Sequence, residues 1–210
     1  MSDSTPYKSK LPQNQQAIRD KSFHPSGTFV EFPMEEVEQS IPERFEKIVQ
    51  MYPERLAVKT RTEILTYAEL NNTANWLAQR ILTVRGCGAE PIGVLVSKKT
   101  ALVCAILAIL KAGKFVVLLD PAFPKARTSE MLEDSQTRLV IADRENLALG
   151  TELLGPTGEI MNLELDAPDI PAEEVRVSIN SKDFAFIFYT SGSTGDSKGV
   201  IQTHRNILHN

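Results

Sequence analysis

Between residues 92 and 142 the sequence repeats one arrangement, a short aliphatic run followed by a helical pattern. The runs at 92–96, 115–119 and 138–142 are too short for helices and too evenly apolar for strands with one wet face. Between them, 100–112 reads as a helix closed by Gly113, and 125–135 as a more polar helix. Short aliphatic strands separated by helices imply βαβ crossovers. The fold class is therefore α/β, with a mostly parallel sheet and flanking helices.

The flanks are read from local signals. Ile41, Phe45, Ile48 and Val49 fall on one face of a helix, with Ser40 as N-cap, Pro42 in its first turn and Pro53 as its stop. Residues 56–60 and 64–66 look like a hairpin. Thr66 and Glu69 form a capping box that opens a helix carrying Leu70, Ala74, Leu77, Ile81 and Leu82 on one side. Trp76 lies beside that stripe and reads as a packing residue. Residues 1–22 are polar and too poor in apolar side chains to offset their ordering entropy, so they read as a disordered leader. Residues 23–40 read as an extended lead-in, and 41–210 as the folded part. The stretch 151–181 reads as loops around one strand at 159–163.

Composition excludes several function classes. The chain has 210 residues, 42% of them apolar, and a net charge of −4 with no Lys/Arg block, which argues against nucleic-acid binding. Cys87 and Cys104 form no CxxC pair, and His204 and His209 are five apart, so neither a disulfide framework nor a metal site is expected. Cys104 reads as core and Cys87 as an exposed loop thiol. The longest apolar run, 101–110, is ten residues, too short to span a bilayer. With no apolar signal segment near Met1, a cytoplasmic location is expected.

The chemistry is concentrated near the C-terminus. An aromatic strand, Phe184-Ala185-Phe186-Ile187-Phe188-Tyr189, runs straight into Thr190-Ser191-Gly192-Ser193-Thr194-Gly195-Asp196-Ser197-Lys198-Gly199. Those ten residues hold three glycines, five hydroxyls and one Lys. Glycines let successive amides point into one concavity, and hydroxyls and a compact cation add donors, which suits a polyphosphate. The spacing is not that of a Walker A loop, since Ser197 precedes Lys198 and Gly199 follows it. Nor do the glycine spacings of three and four match a dinucleotide fingerprint. The competing account is a flexible Gly/Ser linker, which an adjoining aromatic strand makes less favourable. Asp196 suits a turn better than a phosphate contact, because its charge would repel. His204 reads as part of a helix capped by Thr203, not as a base.

The segment from Tyr189 to Val200 resembles the signature loop of the adenylate-forming (AMP-binding) superfamily, which includes acyl-CoA synthetases, luciferases and the adenylation domains of nonribosomal peptide synthetases. Two earlier stretches agree in order. Leu65-Thr66-Tyr67-Ala68-Glu69-Leu70-Asn71 resembles the family's early motif. Leu110-Lys111-Ala112-Gly113 with Leu119-Asp120-Pro121-Ala122-Phe123-Pro124 and Arg127 resembles the second, in its peptide-synthetase form. Ser197 departs from the family's usual Pro, and Val117 stands where a Pro is common. The resemblance implies attack of a carboxylate, here an amino acid, on the α-phosphorus of ATP, release of pyrophosphate, and transfer of the acyl group to a phosphopantetheine or CoA thiol. It assigns the β- and γ-phosphates to Thr190, Ser191, Gly192, Ser193, Thr194, Gly195, Lys198 and Gly199. Mg²⁺ is implied, without a ligand that the sequence identifies, and a carrier protein domain is an implied partner.

The resemblance places the family's substrate pocket, Mg²⁺-binding Glu and catalytic Lys after the signature loop, while this sequence runs eleven residues past Gly199. A truncated N-terminal part of an adenylation domain, inactive alone, is therefore expected, with catalytic residues downstream of residue 210. The alternatives are an acyl-CoA or fatty-acyl-AMP ligase fragment, and a non-catalytic remnant that binds nucleotide weakly or docks on a synthetase.

Overall fold

The computed structural model describes residues 32–97, 99–163, 172–191 and 197–209. The leader and most of the extended lead-in lie outside them. A short 3-10 turn, Met34–Val37, precedes α1 (Ile41–Met51). The Oγ of Ser40 accepts the Glu43 N–H at 3.2 Å, and Pro42 fits the first turn, where its missing N–H costs nothing. An antiparallel pair follows, β1 (Leu56–Lys59) and β2 (Ile64–Thr66). Thr66 then opens α2 (Tyr67–Arg85) with the reciprocal bonds of a capping box: Glu69 N–H to Thr66 Oγ1 at 3.2 Å, and Thr66 N–H to Glu69 Oε2 at 2.7 Å.

The remaining elements alternate: β3 (Pro91–Leu95), α3 (Lys99–Lys111), β4 (Phe115–Leu118), α4 (Lys125–Asp134), β5 (Leu139–Ala142), α5 (Leu147–Leu154) and β6 (Glu159–Asn162). The hairpin strands β7 (Phe184–Ser191) and β8 (Ser197–Thr203) and the short α6 (His204–His209) complete them. One six-stranded sheet results, in the order β6-β5-β3-β4-β7-β8. All its pairings are parallel except β7–β8. Among the described residues the fold is thus the mostly parallel α/β sheet that the alternation implies.

Side-chain alternation divides the strands between two cores. Ile92, Val94, Val116, Leu139, Ile141 and Phe186 face one, packed with Leu77 and Ile81 of α2 and Ala105 and Ile109 of α3. Leu95, Val117, Val140, Ala142 and Ile187 face the other, with Met131 and Leu132 of α4. Covering both faces explains why these strands read as unbroken apolar runs. Val117, at the position where the family often has Pro, is fully buried and pairs with Gly93 and Ile187. Trp76 is half-buried against the first core, with the Arg80 guanidinium 4.8 Å from its ring centroid, as a packing residue should be.

Two elements depart from the sequence reading. Residues 151–154, read as loop, belong to α5, and Gly150 sits in mid-helix. A Cβ at Gly150 would lie 2.3 Å from Ile160 Cδ1, so the glycine is there to let α5 press against β6. Ser197, Lys198 and Gly199, read as loop, begin β8, where they pair with Ser191, Thr190 and Tyr189.

Candidate functional site

The parallel strands all point their carboxyl ends the same way, and β7 delivers Tyr189, Thr190 and Ser191 to that end of the sheet. Ligands of open α/β sheets bind at this end. Gly192, Ser193, Thr194, Gly195 and Asp196, which connect β7 to β8 in the sequence, lie outside the described residues. Of the other candidates, Thr190 and Lys198 are direct cross-strand partners, Ser191 pairs with Ser197, and Gly199 pairs with Tyr189. The strand register therefore brings Thr190 and Lys198 to one rung, next to the last described one, Ser191 with Ser197. Opposite partners on adjacent strands stand roughly 5 Å apart at Cβ, close enough for a hydroxyl and an ammonium to meet one anion.

The same end of the sheet carries a crevice of about 610 Å³, lined by Val96, Ser97, Asp120, Phe123, Phe188 and Tyr189 among others. Its rim is set by an Asx turn: Asp120 Oδ1 accepts the Ala122 N–H at 2.8 Å, and the Asp120 carbonyl accepts the Phe123 N–H at 3.0 Å. Asp120, Pro121 and Pro124 thus act as the strand-end turn that follows β4. At the neighbouring end of β5, buried Asp143 accepts the Ser97 N–H at 2.8 Å, and Asn146 donates to Ser97 Oγ at 2.9 Å. These bonds fix the β3–α3 connection beside the crevice.

His204 takes no part in the site. It is buried, its Nδ1 accepts the Ile41 N–H at 3.2 Å, and α6 is capped by Thr203 Oγ1 accepting from Asn206 N–H at 3.2 Å. Sequence reasoning missed the role of Tyr189, whose phenol donates to Asp134 Oδ2 at 2.6 Å across 55 positions of sequence. Only its place directly ahead of the glycine-rich run pointed to it. Among the described residues no group of three or more His, Cys, Asp or Glu stands where it could hold a metal ion, and no helix is long and apolar enough to cross a membrane. The rung offers an ammonium and a hydroxyl, both hydrogen-bond donors of the kind an anion's oxygen accepts from.

A mostly parallel α/β sheet with an antiparallel strand pair, β7 and β8, at its edge among the described residues defines the class of fold. The family model of AMP-binding enzymes matches residues 45–210, and the chain belongs to that family. Tyrocidine synthase 3 from Brevibacillus parabrevis is 35% identical over 190 residues, covering 88% of this chain and 3% of its own length. Tyrocidine synthase 1 from the same organism is 36% identical over 174 residues, covering 81% of this chain and 16% of its own length. The chain thus spans only a small part of the synthetases that it matches. Among solved structures, the N-terminal subdomain of Klebsiella oxytoca NpsA superposes with a TM-score of 0.71 at 23% identity, covering 81% of this chain and 43% of that one. The nonribosomal peptide synthetase FmoA3, in its α-methyl-L-serine-AMP bound form, gives a TM-score of 0.73 at 22% identity over 94% of this chain and 21% of that one. The architecture is accordingly that of the N-terminal portion of an adenylation domain.

Proposed function

We propose that residues 41–210 are the nucleotide-phosphate-binding front part of an adenylation domain, preceded by a leader at 1–22 and a lead-in at 23–40. In the whole enzyme a substrate carboxylate attacks the α-phosphorus of ATP, the bond to the pyrophosphate oxygen breaks, pyrophosphate leaves and the acyl-AMP stays bound. A phosphopantetheine or CoA thiol, on a carrier domain in the synthetases, then attacks the acyl carbon, the acyl–phosphate C–O bond breaks, and AMP leaves as the thiol gives up its proton. The substrate is an amino acid, a choice supported by the relatives' being peptide synthetases and by the aminoacyl-adenylate bound to FmoA3. The protein works in the cytoplasm.

The observation that carries this reading is the hairpin rung that joins Thr190 to Lys198 at the carboxyl end of the sheet. Lys198 neutralises charge on the β- and γ-phosphates, while Thr190, Ser191, Gly192, Ser193, Thr194, Gly195 and Gly199 supply hydroxyls, amides and the room for backbone to approach. Such transfers are accelerated chiefly by positioning and charge neutralisation. Mg²⁺, when bound, would supply further neutralisation of phosphate charge, and no cluster of three or more His, Cys, Asp or Glu among the described residues is placed to hold it. The isolated chain binds ATP without turning it over.

Titration of ATP·Mg²⁺ into the 210-residue chain tests the reading. Saturable binding that weakens about tenfold or more in Lys198→Ala is expected, the effect of losing one charge-assisted contact. Absence of saturable binding would overturn it. The same substitution in a chain extended through its remaining domain should abolish amino-acid-dependent pyrophosphate exchange.

A further inference from the structure

The rung beneath Thr190 and Lys198 pairs an aromatic residue with a glycine. Tyr189 stands opposite Gly199, and a Cβ built on Gly199 would lie 3.3 Å from ring atoms Cε1 and Cζ of Tyr189 and 3.1 Å from Ile187 Cγ2. The tyrosine ring fills the space that a side chain on β8 would need. An aromatic laid across a facing glycine is a recognised way of pinning strand register. Here it also aims the phenol at the end of α4.

There the phenol donates to Asp134 Oδ2 at 2.6 Å, with the Met131 carbonyl as a second acceptor at 3.2 Å. Asp134 is the last residue of α4, and no basic residue occupies that last turn. A carboxylate at a helix C-terminus faces the negative end of the dipole, so it is costly there unless a donor meets it. Burial first, and the Asp134 bond second, hold the phenol well above its ordinary pKa, which keeps it protonated and donating. The hairpin needs such a tie. Among the described residues β8 is an edge strand, with Val200 and Ile201 exposed at 41% and 48%, so no further strand holds its outer side.

We propose that Tyr189 and Asp134 form a latch that fixes the stem of the glycine-rich hairpin against α4, which makes Tyr189 a positioning residue for Thr190 and Lys198. The role in phosphate binding rests on the reading of the hairpin turn as a phosphate cradle; the latch itself does not. Tyr189 acts through its neighbours. Its ring covers Gly199, its phenol is tied to α4, and the next residue on each strand carries a phosphate donor. An error of about 1 Å in such donors can cost orders of magnitude in rate.

The test uses the full 210-residue chain as Tyr189→Phe, Asp134→Ala and Asp134→Asn. The first keeps the ring over Gly199 and removes only the hydroxyl. The last keeps an oxygen that can accept the phenol proton. Amide hydrogen exchange without nucleotide should accelerate about tenfold across 189–191 and 197–199 in Tyr189→Phe and Asp134→Ala, the loss of one charge-assisted hydrogen bond. Exchange in β3 and β5 should not change, and Asp134→Asn should stay within about threefold of the parent. Affinity for ATP·Mg²⁺ should fall about tenfold in the same two variants and recover in Asp134→Asn.

Unchanged stem exchange in Tyr189→Phe overturns the latch. Faster exchange with unaltered ATP affinity overturns its positioning role. If the parent chain binds no ATP, the phosphate reading is what fails, and the exchange measurement alone decides for or against the latch.

Discussion

His204 Nδ1 accepts the backbone N–H of Ile41 at 3.2 Å, so a histidine just beyond the hairpin ties down the start of a helix 163 positions earlier. An imidazole can accept there only while Nδ1 is unprotonated. Burial lowers the His204 pKa from 6.5 to about 4, with Asp183 pulling weakly the other way.

The unfolded chain, with an ordinary histidine, takes up this proton first as pH falls, so stability rises with pH across the window. The contribution is complete above about pH 6.5 and is lost progressively toward pH 4, reaching about 3 kcal/mol. Urea unfolding at about pH 7.5 and about pH 4.5 should show the parent losing more stability than His204→Asn, whose amide oxygen can still accept from Ile41. Equal losses in the two proteins would rule this out.

Gly113 ends α3 at φ +69°, and a Cβ on it would lie 2.7 Å from Val177 Cγ1. Both the left-handed backbone and the contact require glycine. Gly113→Ala should destabilise the chain by about 2–4 kcal/mol, from left-handed strain and overpacking together. Adding Val177→Ala removes the clash but not the strain. Denaturant midpoints should therefore place the double variant above the sum of the singles, and strict additivity would show that the contact carries no cost.

The parts of the fold legible in the sequence were those fixed by neighbours. Ser40, Thr66 with Glu69, and Thr203 each bond an amide within three residues, and each cap stands where its residue type placed it. The strands were legible because burial on both faces leaves no polar position to confuse the pattern. Helix α5 was not, because Gly150 serves a strand ten residues later and reads locally as a helix breaker. At the candidate site, Thr190 and Lys198 were visible as residue types, but their sharing one rung follows from the hairpin register. The bond from Tyr189 to Asp134 crosses the fold, and no local pattern encodes it.

Lys111 has a side chain only 1% exposed, and its ammonium is paired with Glu46 of α1, which is 25% exposed. Removing the acid leaves a buried cation, whereas replacing both partners leaves an apolar contact. Glu46→Ala should cost about 2–3 kcal/mol, less than for a fully buried pair because water still reaches Glu46. The Glu46→Leu/Lys111→Met variant should melt close to the parent. A thermal scan that found the double replacement worse than Glu46→Ala would show that the pair stabilises the chain beyond neutralising its own charge.

The two thiols differ in environment and should differ in chemistry. Cys87 is exposed in its loop, while Cys104 is fully buried on α3. Burial, with Glu63 adding to it, pushes the Cys104 thiol up to about 12. A thiolate is the reacting species, so at about pH 8 Cys104 is both inaccessible and protonated. An aromatic disulfide reagent should titrate one thiol within minutes in the native chain and the second only as the chain unfolds. Cys87→Ser should remove the fast phase while shifting stability by less than about 0.5 kcal/mol, as surface replacements do. In that variant the remaining phase should track global unfolding, rising with denaturant along the unfolding limb, because α3 exposes Cys104 only when its packing against α2 is lost. Two fast thiols in the native chain would mean that α3 opens locally, and would place the weak point of the fold there.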